Sequence, residues 1–210
     1  MIERRWTRAA LATTAAVLVA TQMAGCFFPV VLGAVGTGVY AATDRRSIGA
    51  QTDDKVIAAR VDSRISDALS NRAHVNVNSF NRKVLLTGEV PDRASKDRAE
   101  EIAKAVDNVA SVVSDLEVGG MTPSTARNND AYLTGKVKAE LVSRKDLFAN
   151  AYKVITEKSI VYLMGRVTRD EGDRAAEAAR GVTGVQKVVK VFDYITDAEL
   201  AQIQKTGSAQ

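Results

Sequence analysis

Val84-Leu85-Leu86-Thr87-Gly88-Glu89-Val90 returns 77 residues later as Val161-Tyr162-Leu163-Met164-Gly165-Arg166-Val167. Self-similarity at a fixed spacing is the feature that organises a fold before any local reading does. Upstream of the two runs, Asp54, Val61 and Ile65 correspond to Asp130, Val137 and Leu141. Downstream, Val106-x-x-Val109-x-x-Val112-Val113 matches Val182-x-x-Val185-x-x-Val188-Val189. Two copies of one unit therefore cover residues 54–118 and 130–195. Residues 119–129 read as a linker, in which Gly119, Gly120 and Pro123 argue against a continuous helix.

Each copy has the same internal order. Ile57, Val61, Ile65 and Leu69 stand four apart, along one helix face. His74-Val75-Asn76-Val77-Asn78 alternates apolar and polar residues, the period of a half-buried strand. The chain turns near Asn81, and residues 83–90 read as a second strand stopped by Pro91. Asp92 then caps a helix with an apolar stripe of Ala94, Ala99, Ile102, Ala103 and Val106. Residues 109–118 are a last strand, reached over a helix and so expected to pair in parallel. In the second copy the same elements fall at 133–142, 152–156, 159–167, 171–180 and 185–195. The expectation is an α+β chain of two tandem αββαβ domains, each a three-stranded mixed sheet packed by two helices. A unit of this length buries a small core, which favours docking of the two copies on each other.

The beginning of the chain carries a different message. Arg4, Arg5 and Arg8 precede an apolar run from Ala9 to Ala20, and Met23-Ala24-Gly25-Cys26 follows. A basic start, a short apolar stretch and small residues before a cleavage point describe an export signal over residues 1–25. Cys26, the single cysteine of the 210 residues, resembles the acylated cysteine of a bacterial lipoprotein box; Met23 stands where leucine is usual. That resemblance implies diacylglycerol and an N-acyl chain on Cys26. Phe27, in place of the aspartate that retains such proteins in the inner membrane, implies sorting to the outer membrane, facing the periplasm. The rival reading of Cys26 as a buried apolar residue leaves its position at a leader boundary unexplained. The exported chain would have about 185 residues and no other thiol, hence no disulfide. Residues 26–53 read as a lipidated, apolar tether and lead-in. The stretch from Phe27 to Ala42 is short for a membrane span and is interrupted by Pro29 and three glycines. Residues 196–210 read as a polar tail, with a turn or two of helix at 198–204 and disorder from Lys205.

Charge excludes one class. The leader holds three arginines and one glutamate, so its removal takes the formal charge from +4 to +2. No concentrated basic face for nucleic acid results. Catalysis has little to stand on. His74 is the only histidine, so neither a triad nor a histidine-rich metal site can be built, and no phosphate-binding glycine loop precedes a strand–helix unit. No catalytic residue, metal ligand or non-covalent cofactor is expected.

The strand ending Leu86-Thr87-Gly88-Glu89-Val90, with its helix and valine-rich strand, resembles the BON domain. Two such domains behind a lipobox resemble the outer-membrane lipoproteins of that family, with exported soluble proteins as cousins. Asp44-Arg45-Arg46-Ser47 resembles the segment preceding the first domain in those lipoproteins. The first copy departs by lacking a glycine equivalent to Gly184. The resemblance implies phospholipid binding, support of envelope integrity and no catalysis.

The copies differ on the outward face of the first helix. At 100° per residue the first copy presents Val56, Ala59, Ser63 and Ser66 there, flanked by Arg60 and Asp62. The second presents Tyr132, Gly135, Ala139 and Val142, flanked by Lys136 and Lys138. An apolar stripe with an amphipathic aromatic and basic margins suits a bilayer interface. The second copy is also the more basic, twelve Lys and Arg against nine acids, compared with ten against eleven. The expectation is that these six residues dock on anionic phospholipid, phosphatidylglycerol or cardiolipin. The resemblance points to the same helix, matching its aromatic position with Tyr132 and its aliphatic ones with Val137 and Val142, although Val137 falls on the core side. Two alternatives stay open: the stripe packs on the first copy or the linker, or it binds an outer-membrane or cell-division envelope protein.

Overall fold

A computed structural model of the chain describes residues 44–207. The expected leader, Cys26 and the apolar tether lie outside the described residues, as do 208–210.

The first domain runs α1 (Ile48–Leu69), β1 (His74–Phe80), β2 (Lys83–Val90), α2 (Arg93–Lys104) and β3 (Ser111–Val118). The second runs α3 (Ser124–Ser143), β4 (Tyr152–Glu157), β5 (Ile160–Val167), α4 (Arg169–Arg180) and β6 (Lys187–Tyr194); α5 (Asp197–Gly207) follows. In each sheet the central strand pairs antiparallel with the strand before it and parallel with the last. This is the expected pair of αββαβ units.

The four-residue spacing of Ile57, Val61, Ile65 and Leu69 becomes the buried edge of α1, and Leu133, Val137 and Leu141 do the same in α3. Both hairpins turn through two residues with positive φ, Asn81 and Arg82 in one, Lys158 and Ser159 in the other. Side chains rarely adopt that backbone, and each turn is held by an acid from the preceding helix. Asp54 accepts hydrogen bonds from the amides of Asn81 (2.6 Å) and Arg82 (2.8 Å) and from the Ser79 hydroxyl (2.6 Å). Asp130 accepts from the amides of Lys158 (2.9 Å) and Ser159 (2.8 Å). The glycine shared by the copies answers to backbone proximity. A Cβ on Gly88 would lie 2.1 Å from the His74 carbonyl oxygen, and one on Gly165 2.6 Å from that of Ala151.

Several boundaries differ from the sequence expectation. Ser47 caps α1 by accepting from the Ala50 amide, so the helix begins six residues ahead of Asp54. Residues 124–129, expected as linker, are already the first turns of α3. The stripe of α2 contains Ser95 where Ala94 was expected, because Asp92 accepts from the Ser95 amide and sets the helix phase; Ala94 is exposed. Lys205–Gly207, expected to be disordered, belong to α5. A reciprocal cap starts that helix: Thr196 Oγ1 accepts from the Glu199 amide, and Glu199 accepts from the Thr196 amide.

Two cores lie between helices and sheets, and a third lies between the sheets. Phe80, Leu85, Tyr162, Met164 and Val191 form the third, flanked by Val113, Ile155, Ile160 and Val189. The central strands are therefore buried on both faces, which is why their sequences run apolar without alternating. The polar face of β1 does not meet water freely; it lines this junction. Lys83 donates to the Phe192 carbonyl (2.9 Å), Asn81 to Asp193 (3.0 Å), and the Tyr162 hydroxyl to Asp115 (2.8 Å). The lead-in segment fastens the same joint. Arg45 forks onto both oxygens of Glu171 (2.7 and 2.6 Å), while Arg46 pairs with Asp54 (2.8 Å) and lies 3.9 Å from the Phe80 ring centre.

Candidate functional site

Helix α3 owes its orientation to Leu133, Val137 and Leu141, which are 2 %, 0 % and 1 % exposed. Val137, matched to a lipid-facing position by resemblance, is thus a core residue. The opposite face is open. Tyr132 is 67 % and Val142 64 % exposed, and Gly135, Lys138 and Ala139 are exposed between them. Among the described residues, neither the first domain nor the linker covers this stripe. The structure brings all four stripe residues onto one exposed line, because positions 132, 135, 139 and 142 recur at helical spacing.

The two lysines are placed differently. Lys138 is exposed. Lys136 is half-buried: its Nζ donates to the Thr183 carbonyl (2.6 Å) and sits 5.7 Å from the Tyr132 ring centre. The contact with the carbonyl fixes where the Lys136 Nζ sits. The ammonium over the ring also restrains the Tyr132 side chain. Beside it, Lys136, Ala139, Arg144, Val182 and Thr183 line a groove between α3 and α4. The matching face of α1 presents Val56, Ala59, Ser63 and Ser66, exposed but mostly small or polar.

A second cluster was not found by reading the sequence. At one end of the sheet–sheet junction, Glu89 is fully buried and Glu157 is 5 % exposed. Glu89 accepts from the Thr122 amide (3.2 Å) and the Thr122 hydroxyl, and pairs with Lys158 (3.1 Å). His74 Nδ1 lies 3.2 Å from Glu89 Oε2, and Asn76 donates to Glu157 Oε2 (2.6 Å). Burial alone would raise the Glu89 pKa; Thr122 and Lys158 outweigh it and hold the carboxylate below its ordinary range. For Glu157 burial wins, and the pKa stands above the ordinary value despite Asn76. The legible signal was the lone histidine opening a strand whose alternate residues are polar. What hid it is that its acidic neighbours come from another strand and another domain. Among the described residues, no helix is long and apolar enough to cross a membrane.

The profile described as BON domain matches residues 53–120 and 129–196. The chain is 36% identical over 154 residues to the 21 kDa hemolysin of Actinobacillus pleuropneumoniae, covering 72% of this chain and 79% of the relative. It is 35% identical over 167 residues to the outer membrane lipoprotein DolP of Haemophilus influenzae, covering 79% and 86%. To the osmotically-inducible protein Y of Escherichia coli it is 29% identical over 145 residues, covering 67% and 72%.

Proposed function

This chain belongs to the BON domain family, and from that membership we propose a non-catalytic outer-membrane lipoprotein, facing the periplasm, whose second domain rests on anionic phospholipid. Cys26 carries the acyl anchor, and α3 makes the contact. The protein supports outer-membrane integrity by binding, without chemistry of its own.

The similarity to the lipoprotein DolP supports the anchor and the compartment. The observation that carries the lipid reading is the exposed line of Tyr132, Gly135, Ala139 and Val142 beside Lys138 and Lys136. Tyrosine suits the headgroup level, since its ring is apolar and its hydroxyl is wet. Gly135 has open space about it, with nothing within 4 Å of where a Cβ would be, so the line is low enough for lipid to approach the backbone. Each lysine near an anionic surface contributes about 1 kcal/mol, so the pair contributes about 2 kcal/mol. Acyl chains add about 0.8 kcal/mol per buried CH₂. The anchor holds the chain to the membrane, and α3 sets how the second domain lies on it.

Cosedimentation of residues 27–210 with vesicles tests this. Phosphatidylglycerol vesicles are expected to carry the protein down, neutral ones far less. Tyr132→Ser and Lys138→Glu should each release it. Lys138→Glu is the cleaner charge test, because Lys136→Glu would also break the contact with Thr183. Equal binding to neutral vesicles, or binding untouched by both variants, would contradict the reading.

A further inference from the structure

We propose that His74, Glu89 and Glu157 form a site for one divalent transition-metal ion, Zn²⁺ fitting best, that ties the two domains together across their sheet–sheet junction. His74 and Glu89 are cross-strand partners on β1 and β2, and Glu157 ends β4 of the other domain. One ligand atom from each lies within 4.8 Å of the other two. One imidazole nitrogen and two carboxylate oxygens are a donor set that zinc accepts, with a fourth place left for water. Zinc bonds of about 2.0–2.2 Å hold ligand atoms roughly 3–4 Å apart, so closing the set takes a side-chain shift of about an ångström.

The charge balance of the cluster favours a cation. Two buried carboxylates face one another, and burying such groups without compensation is costly. Lys158 pairs with Glu89 (3.1 Å) and with Glu117 (2.6 Å), and His74 Nδ1 lies 3.2 Å from Glu89. Glu157 is met by the neutral amide of Asn76.

The surroundings also have the form of an outer shell. Asn76 holds Oε2 of Glu157 and so orients its carboxylate. Lys158 and the Thr122 hydroxyl hold Oε1 of Glu89, while its Oε2 accepts from the Thr122 amide (3.2 Å) and faces His74 Nδ1. Such partners orient ligands and stiffen a site. The His74 side chain keeps 18 % exposure, which gives an ion a way in.

The chain has one histidine and one cysteine, which makes the test specific. The full chain carrying Cys26→Ser, purified in detergent and stripped with chelator, is titrated with ZnCl₂ by calorimetry and followed through its single imidazole by ¹⁵N NMR. The expected result is one equivalent bound, with the His74 signals moving to saturation at that ratio. His74→Gln and Glu157→Gln should each weaken binding at least tenfold while circular dichroism stays unchanged. MgCl₂ should not compete. No saturable binding would overturn the proposal, and so would binding that leaves the His74 signals unmoved. The imidazole measurement uses no ligand variant, so it decides even if a variant misfolds.

Discussion

A methyl group at residue 88 would meet the His74 carbonyl oxygen at 2.1 Å, with a backbone φ of +113° that side chains rarely adopt. Gly88→Ala should therefore destabilise the chain by at least about 2 kcal/mol, read as a lower urea midpoint, and Gly165→Ala should act in the same direction. The repeat in the sequence pointed to these glycines but did not give the reason, which is the close approach of the preceding strand. Position 108 teaches the complementary lesson. The first copy lacks the second's Gly184, whose φ is +104°, and Asn108 takes a φ of 68° there. Asparagine tolerates that region better than most side chains, so the departure noted in the sequence is absorbed locally. Asp54 and Asp130 were legible as repeat landmarks; that they clamp the hairpin turns was not, because the bonds run to backbone 27 to 29 residues away.

At the scale of elements, helix faces were read well and helix ends less so. The four-residue spacing fixed which side of α1 and α3 is buried, and hence which side is free. The start of α3 at Ser124 was masked by the glycines and proline before it; Pro123 ends the linker and lies just ahead of the helix. Helix α5 carried a readable signal in Thr196-x-x-Glu199, a reciprocal cap. Thr196→Ala should cost about 1 kcal/mol of local stability, seen as faster amide exchange over residues 197–207 with the melting of the two domains unchanged. Helix α3 should respond in the opposite way. Tyr132→Ser should leave thermal stability within about 0.5 kcal/mol, since the ring is exposed, while vesicle binding is lost.

At the scale of the molecule, the sheets share one apolar junction. The near-continuous apolar runs of β2 and β5 hinted at burial on both faces, but only the packing shows that each sheet covers the other. Leu85, fully buried at that junction, makes a test of it. Leu85→Ala should cost about 2–5 kcal/mol, and both domains should lose stability in one transition. Two separate transitions, with only the first lowered, would mean that the domains melt independently. The buried acids predict the pH response. Asp54, Glu89 and Glu171 are held below the ordinary carboxylate values of 3.8–4.5, since hydrogen bonds to each outweigh the burial that alone would raise it. The unfolded chain then takes up those protons first, so their stabilisation is complete above about pH 5 and is lost as pH falls below the ordinary range. Glu157 has the opposite sign, because the folded state binds its proton more readily. In metal-free protein at neutral pH, Glu157→Gln should therefore raise the melting temperature, and the gain should vanish in acid.

The proposed contact of the second domain with anionic lipid runs through one face of α3. The most direct measurement places the ¹⁵N-labelled chain on phosphatidylglycerol nanodiscs containing a paramagnetic headgroup lipid and records amide broadening residue by residue. Loss of signal is expected at Tyr132, Gly135, Ala139 and Val142, with Val56, Ala59, Ser63 and Ser66 of α1 retained. Equal broadening of the two helices, or broadening that leaves α3 intact, would contradict it.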